Sequence, residues 1–208
     1  MTATPYTVIG HPQSRAMRVI WMLEELGEPY ELQPFRPQSD EVRALNPLGK
    51  IPVLKEGEAV LTDSVAICTY LADRNGRLTA QAGTLARARQ DALTQFVVDE
   101  VEGALWTAAK NSFIHPEELR VPEIKKVCRA EFAKAMERAT LLLGDRPWLS
   151  GDDFTLPDLL LGHCAGWARA AKFDLPADGP LAEYFARVTR RPAFLAAMKR
   201  AATALESA

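Results

Sequence analysis

Two serines and an aspartate stand where helices are about to begin. Asp63-Ser64 precede the apolar run that opens with Val65, Ala66 and Ile67. Ser14 lies in the loop His11-Pro12-Gln13-Ser14, ahead of a run in which Ala16, Val19, Ile20, Leu23 and Leu26 recur at helical steps and Gly27 is a stop. Side-chain oxygens at such positions bond the exposed amides of a first helical turn, and the positive helix end favours an anion. Ser14 therefore has two readings. It is an N-cap, or its hydroxyl hydrogen-bonds the sulfur of a bound thiol. A free cysteine thiol ionises at about pH 8.5, so a helix end with a hydroxyl donor favours the thiolate nearer neutrality. Arg15 adds positive potential there or faces solvent.

Between these serines runs Asn46-Pro47-Leu48-Gly49-Lys50-Ile51-Pro52-Val53-Leu54. Asn-Pro and the nearby glycine favour a turn, and Ile51 to Leu54 reads as a short strand. Pro52 cannot donate to a ladder, so this strand lies at an edge or holds an unusual peptide. Lys55-Glu56-Gly57-Glu58 reads as a hairpin turn and Ala59-Val60-Leu61 as the returning strand. The Asp63 carboxylate and Ser64 hydroxyl at a helix start, beside a strand that exposes backbone groups, form a receptor for a small zwitterionic peptide.

The 208 residues carry 25 Lys and Arg against 27 Asp and Glu, a net charge of −2. That balance excludes a nucleic-acid surface, which needs concentrated cations. No segment approaches the length of a membrane span. Met1 to Tyr6 lacks a basic region and an apolar core, so no secretory signal is expected. Cys68, Cys128 and Cys164 are few, odd in number and widely spaced, which points to a reduced, cytoplasmic protein, with Cys68 inert inside an apolar helix pattern. His11, His115 and His163 have no metal-ligand spacing, and no metal is expected. A Gly-rich phosphate loop and a dinucleotide fingerprint are absent, and Gln13-Ser14-Arg15 lacks the glycines of a hydrolase elbow.

The elements that must position these residues follow from periodicity. Tyr6 to Gly10 and Pro29 to Gln33 are strands joined by the helix after Ser14, a β-α-β unit whose strands are parallel. A short helical turn falls within Phe35–Leu45, and a helix over Val65–Arg74 follows the hairpin. Beyond Arg77 only helices are expected. Thr84–Lys110 buries Leu85, Leu93, Phe96, Val97, Val101, Leu105 and Ala108. Glu123–Leu143 buries Ile124, Val127, Phe132, Ala135, Ala139 and Leu142. Thr155 and Asp158 form a capping box with Phe154 and Leu159 as its staple, a structural element without chemistry. Leu181–Thr189 and Pro192–Ala202 close the chain. The fold class is an α/β domain followed by an all-α domain.

Asn46-Pro47-Leu48-Gly49-Lys50-Ile51-Pro52-Val53-Leu54, the hairpin, and then Asp63-Ser64-Val65-Ala66-Ile67-Cys68-Thr69-Tyr70-Leu71 resemble the thioredoxin-like half of soluble, bacterial-like glutathione S-transferases of the serine type. The resemblance is specific in residues 1–76 and mainly architectural afterwards. It implies a thioredoxin-like glutathione-binding domain over 1–77 and a helical bundle over 84–208 that forms the electrophile pocket. Ser14, four residues before Arg18, matches the spacing of the catalytic serine that stabilises the thiolate. The resemblance makes the peptide before Pro52 cis, with the Ile51 N–H and C=O pairing the cysteinyl backbone of glutathione. The amides at the helix start and the Ser64 hydroxyl take the γ-glutamyl carboxylate. Asp63, where many members carry glutamate, attracts the ammonium group. Lys50 meets the glycine carboxylate or stays solvated.

Phe96, Val97, Glu100, Trp106 and Phe113 lie on a helix that borders the second-substrate site in this family, where each is either core or lining. Serine in place of an active-loop cysteine argues against disulfide exchange. The implied function is conjugation of glutathione, as co-substrate, to an electrophilic and mostly apolar small molecule, in detoxification, by a homodimer assembled through unlike domains. A glutathione-dependent isomerase or dehalogenase on the same fold, and a glutathione-binding interaction protein with little catalysis, are the alternatives.

Overall fold

The structure is a computed structural model that describes residues 6–206. Most of the Met1–Tyr6 segment read for a secretory signal lies outside the described residues. Two compact units form, one from residues up to 79 together with those from 190 onward, the other from 80–189.

In the first unit, β1 (Tyr6–Ile9) pairs in parallel with β2 (Tyr30–Gln33) and antiparallel with β3 (Val53–Glu56), and β4 (Ala59–Thr62) pairs antiparallel with β3. The order is β2-β1-β3-β4. The parallel pair needs a crossover, and α1 (Met17–Leu26) supplies it, ending at Gly27 with φ +74°. After β2, α2 (Asp40–Leu45) begins at Ser39, whose hydroxyl accepts from the Val42 amide at 3.4 Å. After β4 comes α3 (Ser64–Asn75).

The hairpin differs from the expectation in two respects. β3 is an inner strand, and Pro52 precedes it, so the ladder that starts at Val53 loses no donor; the Ile51–Pro52 peptide is cis. Pairing continues to Glu56 opposite Ala59, so Lys55 and Glu56 belong to the strand and the turn is only Gly57-Glu58, with Gly57 at φ +56°.

The second unit starts with α4 (Leu85–Phe96), which continues through a wide i→i+5 winding at Val97–Glu102 into α5 (Gly103–Ala109) and a second such winding at Lys110–Ile114. This is the expected long helix, but Leu85 lies on its outer surface, 78% exposed. In α6 (Ile124–Leu143), Phe132, Ala135 and Ala139 are buried as expected, while Val127 and Leu142 face outward. Cys128, Met136 and Leu143 take the inner places, since 128, 132, 135, 139 and 143 form the helical stripe and 127 and 142 fall about 100° to its side. α7 (Leu156–Ala170) and α8 (Gly179–Thr189) complete the unit, α7 packing on both α4 and α8.

At the start of α7 the Asp158 carboxylate is wholly buried. It accepts from the Leu149 amide (2.8 Å) and Tyr184 hydroxyl (2.9 Å) on one oxygen, and from the Thr155 amide (2.9 Å) and hydroxyl (3.1 Å) on the other. Burial raises its pKa and these four donors oppose the rise.

The last helix, α9 (Pro192–Glu206), corrects the expected layout. The sequence places it at the end of the helical half, yet it packs on α1 of the first unit. Arg191 makes a bidentate pair with the buried Glu25 (2.6 and 2.7 Å), and Phe194 meets Trp21 edge-on at 4.9 Å. Arg200 donates to the Tyr30 carbonyl at 2.9 Å and lies over its ring. With α3 on another side, α1 is buried from Met17 through Leu23, more than a one-sided apolar stripe would require.

Candidate active site

The site grows from three chain segments in the first unit. The first is the loop after β1. Gly10 has φ +151°, and a Cβ there would stand 3.0 Å from the Ala16 Cβ and 3.1 Å from that of Ile51. Only glycine lets the Ser14 loop close onto Ile51-Pro52 in this way. Ser14 is extended and half-buried; its Oγ accepts from the Ala16 amide at 3.1 Å and donates to the His11 carbonyl at 2.6 Å. The capping reading is thus realised in the geometry. For the same hydroxyl to stabilise a thiolate, its proton must turn from the His11 carbonyl to sulfur. The His11 imidazole accepts from the Gln13 amide through Nδ1 at 3.3 Å, and burial, with Arg36 nearby, lowers its pKa.

The second segment is the turn before β3. Asn46, buried, donates from its side chain to the Lys50 carbonyl (2.9 Å) and accepts from the Leu48 amide (3.1 Å). Gln38, at φ +70°, donates to the carbonyls of Leu48 (3.2 Å) and Gly49 (3.3 Å). These amides hold the turn rigid and leave Ile51 outside the ladder, its side chain against Ile9, Val42 and Val53. Lys50 is exposed.

The third segment is the start of α3. Asp63 Oδ1 accepts from the amides of Val65 (2.9 Å) and Ala66 (3.0 Å), and the Ile67 amide bonds the Asp63 carbonyl (2.9 Å). The Ser64 amide has no hydrogen-bond partner among the described residues, nor does Asp63 Oδ2. Asp63 reaches this geometry at φ +71°, a conformation that costs a non-glycine residue on the order of 1–3 kcal/mol. Ser64 is buried, and its Oγ accepts from Nη1 of Arg18 at 3.3 Å. Cys68, one helical turn on, is fully buried, and burial pushes its thiol up to about 12, out of reach of thiolate chemistry at neutral pH.

Residues 14–74 match the family described as the glutathione S-transferase N-terminal domain. A probable glutathione S-transferase of Oryza sativa subsp. japonica is 30% identical over 162 residues, 72% of this chain and 73% of its own. The chain belongs to the glutathione S-transferase family. A glutathione S-transferase of Escherichia coli O157:H7 is 28% identical over 156 residues, 74% of each chain. Among solved structures, the theta class glutathione S-transferase from Xanthomonas axonopodis pv. citri, with glutathione bound, is 28% identical, with a TM-score of 0.75 over 93% of this chain and 97% of that one.

The glutathione S-transferase N-terminal match spans all six residues singled out from the sequence: Ser14, Lys50, Ile51, Pro52, Asp63 and Ser64. The structure brings Ala16, two residues after Ser14, together with Ile51 and Pro52 around Gly10, and sets Asp63 and Ser64 at one helix start. One expectation needs correction. The helix-start amides of Val65 and Ala66 are already capped by Asp63, which leaves the Ser64 amide and hydroxyl as the donors there. Sequence reasoning also missed Arg18 and Gln38. The signal for Arg18 was a charged residue set inside the apolar stretch Ala16–Leu23; Gln38 carried none. In the second unit, Val97 is core, Phe113 is exposed, and Trp106 meets Trp167 edge-on at 6.4 Å. Glu100 pairs with Arg138. Among the described residues no helix is long and apolar enough to cross a membrane.

Proposed function

We propose that the protein conjugates the thiolate of glutathione to an electrophilic, mostly apolar small molecule, as a cytoplasmic homodimer acting in detoxification. Family membership and the glutathione-bound relative support the co-substrate. The observation that carries the reading is the start of α3, where a donor pair on Ser64 and a carboxylate oxygen on Asp63 stand unused among the described residues. A γ-glutamyl group brings a carboxylate and an ammonium, the two charges these atoms complement. The Ile51 N–H and C=O pair the cysteinyl backbone as a short added strand, and Lys50 meets the glycine carboxylate. Three buried free thiols fit a reducing compartment, and exposed Leu85 and Leu141 fit coverage by a second copy.

In the reaction the cysteinyl S–H releases its proton to solvent, and the Ser14 hydroxyl donates to the sulfur that remains. The sulfur lone pair forms the S–C bond; a leaving group departs with its bonding pair, or in an addition the neighbouring carbon takes up a proton. The protein supplies position and thiolate stabilisation.

The test is a glutathione titration of the wild type and Ser14→Ala, following thiolate absorbance across pH. The expected result is a bound-thiol pKa below that of free glutathione, raised again in Ser14→Ala. Binding with an ionisation indifferent to Ser14 keeps the site and removes the catalytic role. No binding in either protein overturns the function.

A further inference from the structure

Gln38 stands on the surface, where a glutamine ordinarily turns its polar atoms to water, yet each of its polar groups is engaged within the chain. Its backbone N–H donates to the Gly49 carbonyl at 2.8 Å, and its Nε2 donates to the carbonyls of Leu48 and Gly49. Its own carbonyl accepts from Nε of Arg43 at 3.3 Å, and its Oε1 accepts from Nη2 of the same guanidinium at 2.5 Å. All this is reached at φ +70°, a region that disfavours a side chain and persists where the surroundings over-determine it. Gly49 is matched to it. At φ +64°, with the Gln38 amide 2.5 Å from where a Cβ would stand, position 49 admits only glycine while that amide stays in place.

Arg43 decides which way the amide points. With Oε1 on the guanidinium, the NH2 group faces two carbonyls. Turned over, the NH2 would meet a cation and the oxygen two other oxygens, and both contacts would repel. Asn46 holds the inner side of the same turn, through the Lys50 carbonyl (2.9 Å) and, by its own carbonyl, the Gly49 amide (2.7 Å). The carbonyls of Leu48, Gly49 and Lys50 are thus all filled from within the chain. The Ile51 N–H and C=O follow directly and have no partner among the described residues. A pairing edge one residue long binds well only when its backbone is already held, because freedom in the turn is entropy lost on binding.

We propose that Gln38 is a positioning residue for glutathione: it fixes the Leu48 and Gly49 carbonyls from outside the turn, with Arg43 orienting its amide, and so pre-sets the Ile51 backbone for the cysteinyl residue. This rests on the glutathione reading above. Gln38 acts through the turn and touches no reacting atom.

The experiment measures calorimetric affinities of the full chain for glutathione and for its depsipeptide, in which an ester oxygen replaces the cysteinyl N–H. Gln38→Glu keeps the shape and the Arg43 contact but cannot donate to the two carbonyls. It is expected to weaken glutathione about tenfold and the depsipeptide by no more than about threefold, since the contact that depends on the turn is already missing there. Gln38→Gly, which accepts φ +70° without strain, should do the same. Arg43→Ala should cost about threefold, Arg43→Lys should restore most of that, and Gln38→Gly/Arg43→Ala should bind no worse than Gln38→Gly alone, because Arg43 acts through Gln38. Unchanged glutathione affinity in both Gln38 variants overturns the proposal. So do equal losses for the two ligands, which make Gln38 a general structural residue, and additive losses for Arg43 and Gln38. If Gln38→Glu does not fold, Gln38→Gly decides by the same comparison. Failure of the wild type to bind glutathione removes the functional reading and this proposal together, whereas wild-type binding with indifferent Gln38 variants removes only this one.

Discussion

Two helices, one in each unit, begin with a hydroxyl and an acid before an apolar run, and they use them in opposite ways. At the start of α7, both Asp158 oxygens are filled by donors of the chain itself, and the carboxylate has no contact with solvent. At the start of α3, Asp63 is exposed, one of its oxygens carries two amides, and the other carries nothing among the described residues. The neighbouring hydroxyl there is tied to a buried cation, and among the described residues its own amide has no partner. A helix start closed on itself holds a fold together. One left partly open, at a backbone angle that disfavours the residue, keeps donors and a charge for a ligand.

The largest expected effect that tests this contrast is Asp158→Ala. Removing the acceptor strands four donors in the interior, a loss of about 3 kcal/mol or more, read as a shift of the urea midpoint followed by tryptophan fluorescence. A shift below about 1 kcal/mol would mean that the closed box is not what holds the second unit. Asp63→Gly should separate stability from binding. It removes a cap but relieves the φ of +71°, so stability should change by no more than about 1 kcal/mol. The proposed ammonium contact is lost with it, and the glutathione Kd should rise about tenfold or more by calorimetry. A stability loss as large as that of Asp158→Ala would erase the distinction between open and closed starts.

The smallest effect concerns the Ser14 loop. The fold lowers the His11 pKa through burial and Arg36, so the folded state favours the neutral imidazole that accepts from the Gln13 amide. That contribution is fully present above the unfolded value of 6.5 and is lost as pH falls through the lower folded value. The urea midpoint should therefore fall more steeply between pH 7 and 5 in the wild type than in His11→Gln. Parallel profiles would show that the imidazole carries no part of the loop.

Much of this was legible in the chain. The β-prone run Tyr6–Ile9 and the alternation in Tyr30–Gln33 around a helical run required the parallel pair, because a crossover of that length does not fit an antiparallel hairpin. The hydroxyls of Ser14 and Ser64 announced themselves by standing before apolar runs. The errors share a cause in packing. The hairpin turn slipped by two residues because Lys55 and Glu56 look like turn residues, yet they pair across the ladder. The α6 stripe moved by one position because Val127 and Cys128 are both apolar and only the neighbouring helices choose between them. The last helix joined the first unit because Arg191, Phe194 and Arg200 find Glu25, Trp21 and Tyr30, partners about 170 residues away that no local pattern reveals.

The sequence by itself determined the order of the elements, the two-part architecture and the residues that open α3 and α7, since periodicity, turn residues and caps act over a few neighbours. The tertiary structure alone decided which helix start is closed and which is open. Tyr184 reaches Asp158 from 26 residues on, and Arg18 reaches Ser64 from 46 residues back. Such partners meet only when the chain has folded, because burial of a charge and the filling of its last hydrogen bonds depend on surfaces brought together from afar.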